Sequence, residues 1–317
     1  MAVERARIHF APKSWGREDL RPWSSYRDTR IPIGEVWFER PDSNSAPPAL
    51  LMKLIFTRDL PADRADANVA IARGVSQAGY HAWYILSAGA QSRIAVGSTK
   101  ELSREQQGTR ILDGSILETF HWQAAHAGDS TCVPRDMYQA IGSGMVIVEI
   151  QPRTDATLRV VESARRRAGE VASFGPPEID RPSERRSFPR KLTAARALLL
   201  RNPAFVLERI TLAAGVVRAL DVSEETWLFV LAGAGRVDSV EINPGNVIFL
   251  QSDRACVEVG AHGLQCLVAY ARSAPAPWLL VRQNGMRVPD SGRRPSRTSL
   301  RLESVPVMRS VPVEGSP

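Results

Sequence analysis

The chain has few cysteines and no long apolar run, and these two absences exclude several classes of protein. Its three cysteines, Cys132, Cys256 and Cys266, form no CxxC pair, so we expect reduced thiols in a cytoplasmic protein and no disulfide framework. No run of about 18 apolar residues occurs, which predicts that no segment spans a membrane. Residues 1–7 carry charges but no apolar segment of the length found in signal peptides.

The formal net charge of +7 could indicate a nucleic-acid partner, but aromatic residues are scarce near the basic clusters. From residue 282 to residue 317 there are seven arginines and three acidic residues, a net charge of 7 − 3 = +4. We expect this Pro/Ser/Arg-rich tail to be disordered. Neither the tail nor the arginine clusters near residues 165 and 185 carry a nucleic-acid-binding motif, so no nucleic-acid partner is predicted.

Short apolar runs separated by Gly and Pro turns dominate the sequence. Residues 49–56, 82–86 and 145–151 predict strands before residue 160, and residues 205–210, 226–231 and 246–250 predict strands after residue 192. Helices are predicted only near residues 62–78 and 192–200. Many short strands with such turns are typical of a β-sandwich or barrel, so the predicted fold is mainly β with a small helical part.

The composition changes at residue 161, and this predicts the domain boundaries. Residues 161–191 are rich in Pro and Arg and are expected to form a linker. We therefore predict an N-terminal domain over residues 1–160 with a helical insertion, a linker over 161–191, a C-terminal domain over 192–281 and a basic tail over 282–317. A chain of 317 residues is long enough for two domains.

The two predicted domains share a local pattern. Gly128 is followed by Asp136, and Gly245 by Asp253, at the same spacing, and each glycine precedes a turn residue and then an apolar strand. Such an echo indicates two copies of one unit. We therefore predict two tandem jelly-roll barrels.

Several short segments, in order along residues 12–159, resemble the type I mannose-6-phosphate isomerases, which are zinc-dependent cupins with two barrels. Beyond residue 192 the resemblance rests mainly on the strand pattern. The resembling segments are Pro12-Lys13-Ser14-Trp15-Gly16, Pro32-Ile33-Gly34-Glu35-Val36-Trp37, Leu50-Leu51-Met52-Lys53-Leu54, Ala82-Trp83-Tyr84-Ile85-Leu86, Ala127-Gly128-Asp129, Val133-Pro134, Gln139-Ala140-Ile141-Gly142, Val148-Glu149-Ile150-Gln151 and Asp155-Ala156-Thr157-Leu158-Arg159.

The resemblance implies an isomerase that interconverts mannose 6-phosphate and fructose 6-phosphate, or a related sugar phosphate, through an enediol. In that family a glutamine, two histidines and a glutamate hold one zinc ion, which positions the oxygens of the phosphorylated hexose. Arg159 stands at the position of the family's active-site arginine, and its implied role is to hold the phosphate or to stabilise negative charge on the enediolate.

The other family positions carry different residues in this chain. His81 stands where the family has the glutamate ligand, and Gln139 stands where it has the hairpin histidine. Alignment from Lys53 without a gap places Arg64 and Asp66 at the glutamine and histidine positions, whereas a one-residue gap places Asp63 and Ala65 there. Gly79 replaces a family lysine.

Two interpretations of this set remain open. In the first, Asp66, His81 and Gln139 hold zinc or another divalent metal weakly, Glu149 and Gln151 on one face of a strand contact the substrate, and Arg159 is catalytic. In the second, the metal site is vestigial, because amides are weak zinc ligands and Arg64 would oppose a cation. The predicted functions are accordingly a sugar-phosphate isomerase with an altered metal site or an inactive sugar-phosphate-binding cupin that acts as a sensor or scaffold.

Overall fold

The structure is a computed structural model, and its residues 1–282 form one compact unit. It describes residues 2–24, 26, 30–41, 48–59, 70–75, 80–100, 102–134, 138–153, 156–158, 186–187, 189–251 and 253–282. Most of the predicted linker and nearly all of the predicted basic tail lie outside these residues. All three cysteines are free thiols, as expected from the sequence.

Up to residue 158 the described chain forms twelve strands, one α-helix and one short 3₁₀-helix. The α-helix α1 (Arg104–Asp113) begins at a capping box in which Ser103 and Gln106 exchange hydrogen bonds, and the 3₁₀-helix (Ser115–Thr119) follows it. The strands are β1 (Ala2–Arg5), β2 (Arg7–Arg17), β3 (Ile33–Glu39), β4 (Leu50–Phe56), β5 (Ala70–Val75), β6 (His81–Ala88), β7 (Arg93–Ser98), β8 (Phe120–Ala124), β9 (Ser130–Val133), β10 (Tyr138–Ile141), β11 (Met145–Pro152) and β12 (Ala156–Leu158).

From residue 186 onward all regular elements of the described chain are strands. They are β13 (Arg186–Ser187), β14 (Arg190–Lys191), β15 (Arg196–Arg201), β16 (Val206–Leu212), β17 (Val217–Val222), β18 (Thr226–Val237), β19 (Val240–Ile242), β20 (Val247–Gln251), β21 (Asp253–Tyr270) and β22 (Leu280–Arg282).

Both helices predicted from the sequence are wrong where the structure describes them. Within residues 62–78 the described part is strand β5, which pairs with β10 and β12, and the remainder lies outside the described residues. Within residues 192–200 the chain forms β15, which pairs with β16. Alanine- and leucine-rich segments favour helix locally, but a ladder of hydrogen bonds to neighbouring strands outweighs this weak preference.

Two antiparallel sheets face each other in the first part of the chain. One has seven strands in the order β13-β9-β6-β11-β4-β3-β2, and the other has five in the order β12-β5-β10-β7-β8. A hydrophobic cluster joins them, with Trp83, Ile85 and Ile147 from the first sheet and Ile94 and Ile141 from the second. The space between these two sheets is called the first interior below.

The other face of the seven-stranded sheet packs against a ten-stranded sheet. This central layer contains Leu54, Tyr84 and Val148 from the seven-stranded sheet and Trp227 and Phe249 from the ten-stranded one. Successive side chains in a strand alternate between faces, so the seven-stranded and the ten-stranded sheets can each have apolar residues on both faces. Strand β1 pairs with β20, so the N-terminal strand belongs to the ten-stranded sheet.

The opposite face of the ten-stranded sheet carries a cluster of its own, called the second interior below. Leu198, Ile210, Leu228 and Val268 belong to it, and the long strand β21 supplies further members along most of its length. Strand β21 pairs with β16, β17 and β18. The sequence therefore builds two separate interiors, one on each side of the central layer.

The internal echo in the sequence corresponds to a repeated turn. The N–H groups of Gly128 and Gly245 donate to the carbonyl oxygens of Ile85 and Val230 at 2.8 and 2.9 Å. The N–H groups of Ile85 and Val230 in turn donate to the carbonyls of Asp129 and Asn246 at 2.9 and 3.0 Å. Both glycines have positive φ angles, +91° and +83°, which glycine adopts at little cost.

The predicted fold class is confirmed at the level of a mainly β protein with a small helical part. The division into two barrels, and the boundaries at residues 160, 191 and 281, stay predictions. No helix in the described part of the chain is long and apolar enough to cross a membrane.

Candidate functional site

A row of side chains crosses the seven-stranded sheet on the face of the first interior. Trp37, Lys53, Glu149, Trp83 and Thr131 lie opposite one another on β3, β4, β11, β6 and β9, as the pairing register requires. Directly opposed residues in an antiparallel sheet point to the same face. An ammonium, a carboxylate and two indoles are therefore neighbours on one face of this sheet.

Lys53 is the buried cation at the centre of this row. Its Nζ lies 3.1 Å from Glu149 Oε1 and 3.4 Å from Glu35 Oε1, and 4.6 Å from the centre of the Trp37 ring. All three ionised side chains are at most 5% exposed. A buried charge is tolerated only when it is paired, and Lys53 has two carboxylates and an aromatic face.

Glu149 is held from three directions. Lys53 approaches Oε1, the Trp83 Nε1–H donates to Oε2 at 3.0 Å, and His81 Nδ1 lies 3.5 Å from Oε1. Burial by itself would raise the pKa of Glu149, but the neighbouring Lys53 ammonium and the His81 imidazole hold that pKa well below its ordinary range. Glu149 is therefore a stable carboxylate at neutral pH.

Three buried oxygen atoms of the first interior have no hydrogen-bond partner among the described residues. They are Gln139 Oε1 on the five-stranded sheet and, on the seven-stranded sheet, Thr131 Oγ1 and Glu149 Oε1, which lies 3.1 Å from the Lys53 ammonium. Gln139 stands two residues before Ile141, which belongs to the first interior, so both side chains have the same orientation. Unpaired buried polar atoms are rare and point to a ligand or water that completes them.

The structure brings four of the six sequence-predicted site residues to the first interior. His81 contacts Glu149, Gln151 follows on the same face of β11, and Gln139 lies on the opposing sheet. All four are buried. Asp66 and Arg159 lie outside the described residues, as do Arg64, Asp63, Ala65 and Gly79, so the roles assigned to them stay predictions.

Sequence reasoning did not identify Lys53 and Glu35 as part of the site. A signal existed, because Lys53 is the one charged residue in the apolar strand Leu50–Phe56, and a buried lysine is expected to be paired. Its partners could not be read from the sequence. Glu35 and Glu149 are 18 and 96 residues away, and only the strand register brings them to Lys53.

The second interior has a buried ion pair at the corresponding place. Arg196 donates from Nε and Nη2 to the two oxygens of Glu208, each at 2.8 Å, and Tyr270 Oη donates to Glu208 Oε1 at 2.6 Å. Arg196 Nη2 also donates to the carbonyl of Ala276 at 2.8 Å. Burial and the hydrogen bond to Glu208 raise the pKa of Tyr270, so its hydroxyl keeps its proton.

The described residues do not by themselves fit a zinc ion. Catalytic zinc takes three protein ligands, whereas this interior supplies the imidazole of His81 and the unpaired amide oxygen of Gln139. The carboxylate of Glu149 is already held by Lys53 and Trp83. No group of three His, Cys, Asp or Glu side chains within the described ranges is placed to hold a metal. A set completed by Asp66 stays a prediction.

Solved structures of mannose-6-phosphate isomerases have a similar fold. The enzyme from Bacillus subtilis aligns with a TM-score of 0.62 and 15% identity over 85% of this chain and 100% of its own. The apo form of the Salmonella typhimurium enzyme aligns with a TM-score of 0.62 and 10% identity over 86% of this chain and 100% of its own. No family model matches the chain. No curated protein matches its sequence either. The chain thus has a mainly β fold similar to that of these mannose-6-phosphate isomerases, and the similarity concerns the fold alone.

Proposed function

We propose that this protein binds a phosphorylated hexose in the first interior as a divergent mannose-6-phosphate-isomerase-like protein. The observation that carries the proposal is that Gln139 Oε1 and Thr131 Oγ1, two buried oxygens without a hydrogen-bond partner among the described residues, lie in the same interior as His81, Glu149 and Lys53. A sugar hydroxyl donates to the amide oxygen and exchanges a hydrogen bond with the threonine hydroxyl. Trp37 and Trp83 supply the apolar surface beside these groups.

The first form of the proposal is an isomerase of mannose 6-phosphate and fructose 6-phosphate. Arg159 has the proposed role of holding the phosphate, and Gln151 that of binding a sugar hydroxyl. Asp66, His81 and Gln139 form the proposed metal set.

The test is the conversion of fructose 6-phosphate to mannose 6-phosphate by the purified full chain. It is run without added metal and with zinc, manganese or cobalt. Turnover that Arg159→Ala or His81→Gln abolishes supports the isomerase. No turnover under any of these conditions, by a protein with a cooperative thermal transition, rejects it.

The second form is binding without turnover, as a sensor or scaffold. The incomplete zinc ligand set of the described residues favours it, because the family's chemistry depends on that metal. It predicts that mannose 6-phosphate raises the melting temperature, that a chelator does not change this shift, and that no product forms. A shift that disappears with chelator contradicts the metal-free form.

A further inference from the structure

The loop between β21 and β22, residues 271–279, carries the most exposed large apolar side chain of the described chain. Trp278 in this loop is 73% exposed, whereas Ile8 and Ile31, the other exposed large apolar residues, are 50% and 47% exposed. Residues 273–278, called the tip below, include two prolines and two alanines and no charged residue. An exposed apolar segment of this kind is typical of an interaction site.

The backbone of the tip is held from inside by buried side chains of the second interior. Arg196 donates from Nη2 to the carbonyl of Ala276 at 2.8 Å and from Nη1 to the carbonyl of Pro277 at 3.3 Å. The N–H of Ala276 donates to Tyr270 Oη at 3.0 Å. Arg196 and Tyr270 are both buried. The polar cluster of the second interior therefore fixes the backbone from which Trp278 projects.

These contacts also pair several backbone groups of the tip within the protein. The carbonyls of Ala276 and Pro277 accept from Arg196, and the N–H of Leu279 donates to the carbonyl of Ala276 at 3.3 Å. Pro275 and Pro277 have no N–H group. Transfer of an unpaired backbone group into an apolar medium is costly. A tip whose backbone groups are paired internally can enter the interface of a bilayer at a reduced desolvation cost.

Exposed basic residues lie around the uncharged tip. Arg272 precedes it and is exposed. Both residues of β14 are basic and exposed, and β14 leads into the turn before Arg196. One exposed acidic residue, Glu224, lies near the first residue of the loop, because the N–H of Ala271 donates to the carbonyl of the next residue, Glu225. The local excess of charge is positive. An exposed indole with basic residues around it is typical of proteins that bind anionic lipid surfaces.

We propose that the loop 271–279 attaches the protein to an anionic lipid surface, with Trp278 inserted at the level of the headgroups. Single-stranded nucleic acid fits these features less well, because its successive bases stack on several aromatic side chains, whereas the tip has one. This inference is independent of the ligand proposed for the first interior.

The test is sedimentation of the full chain with lipid vesicles. Vesicles of phosphatidylcholine and phosphatidylserine in equal amounts are compared with vesicles of phosphatidylcholine alone, and we expect stronger binding to the anionic ones. Trp278→Ala should weaken this binding at least about tenfold, because the indole no longer leaves water. Arg272→Glu should weaken it about fivefold or more, since each basic residue near the surface contributes to the attraction. Ile8→Ala, the control at another exposed apolar residue, should bind as the unmodified chain does.

Fluorescence gives a second measurement on the unmodified chain. Anionic vesicles that contain brominated phosphatidylcholine should quench part of its tryptophan emission, and Trp278→Phe should remove this quenching. No binding of the unmodified chain to anionic vesicles overturns the inference. Equal binding by a folded Trp278→Ala overturns it as well, because basic residues alone would then attract the protein. Tighter binding to single-stranded DNA than to vesicles, weakened by Trp278→Ala, would assign the loop to nucleic acid and overturn the lipid surface.

Discussion

The two interiors of this protein are built on one framework and differ in how their polar groups are paired. Each has a buried ion pair between the same two strand positions, Glu35–Lys53 in the first and Arg196–Glu208 in the second, with the signs of charge exchanged. In the second interior the guanidinium of Arg196 binds both oxygens of the Glu208 carboxylate. The unpaired Gln139 Oε1 and Thr131 Oγ1 both belong to the first. The same strand pairing can therefore support a closed core or a site.

The difference in the pairing of buried polar groups affects stability. A buried ion pair with all its hydrogen bonds made can be replaced by apolar residues at little cost, whereas removal of one partner leaves an uncompensated charge. Unpaired polar atoms lower stability, and a sequence retains them where they serve a ligand. The second interior is thus interpreted as structural, and the first as functional.

The largest expected effect comes from breaking the charged row. Lys53→Met leaves Glu35 and Glu149 buried without their cation, and should lower the free energy of unfolding by about 3–5 kcal/mol. The double change Arg196→Met with Glu208→Leu removes a whole pair and should lie within about 2 kcal/mol of the unmodified chain. Urea denaturation measures both. Equal losses would show that the charges left unpaired by Lys53→Met cost no more than removal of a whole ion pair.

The repeated turn provides the next comparison. Gly128→Ala should lower the free energy of unfolding by about 1–2 kcal/mol, because alanine is strained at positive φ. No steric cost adds to this strain, since an added Cβ meets no atom within 4 Å. Gly245→Ala should cost more, because its Cβ would lie 2.3 Å from the carbonyl oxygen of Trp23. Thermal denaturation of the two variants tests this order, and a larger loss for Gly128→Ala contradicts the packing described at Trp23.

Tyr270→Phe should have a smaller effect, about 1–2 kcal/mol, since it removes the hydrogen bond to Glu208 and leaves the Ala276 N–H without its acceptor. The pKa of Tyr270 is raised in the folded protein, so its contribution is complete below the unfolded value near 10 and is lost as the pH rises above it. The loss of stability of the unmodified chain between about pH 9 and 11 should shrink in Tyr270→Phe. If stability falls equally steeply with rising pH in Tyr270→Phe and in the unmodified chain, the pKa of Tyr270 is the same in the folded and the unfolded protein.

Acid titration gives the smallest and most local signal. The pKa of Glu149 is lowered in the folded protein from about 4.3, so the stability it contributes is complete above that pH and is lost as the pH falls toward the folded value. Glu149→Gln should therefore flatten the fall in unfolding free energy between about pH 5 and 3. Glu208→Gln serves as a control for the loss of any buried carboxylate. Parallel acid slopes for the unmodified chain and Glu149→Gln would contradict the lowered pKa.

Part of the fold could be predicted from the sequence. The strands that became β4, β6, β11, β16, β18 and β20 were visible as short apolar runs, and the glycine turns predicted the echo between the two parts of the chain. The helix predicted over residues 192–200 was wrong because β15 gains a pairing partner that lies later in the chain. Local preference cannot reveal such a partner.

The site was predictable only in part, for a related reason. The resemblance placed His81 and Gln139 at positions where that family has ligands, and both are buried in the first interior. The contacts of Glu149 with Lys53 and Trp83 depend on the register of three strands that are separated by tens of residues. Residue types alone could not indicate whether Glu149 faces a substrate or a lysine.

We propose that a phosphorylated hexose binds in the first interior and not in the second. Calorimetric titration of mannose 6-phosphate into the full chain and into Gln139→Leu distinguishes the two, with Glu208→Gln as the control in the second interior. We predict binding to one site in the unmodified chain and in Glu208→Gln, and at least a tenfold weaker affinity, about 1.4 kcal/mol, in a folded Gln139→Leu. No binding to the unmodified chain, or equal affinity in Gln139→Leu, would contradict the claim.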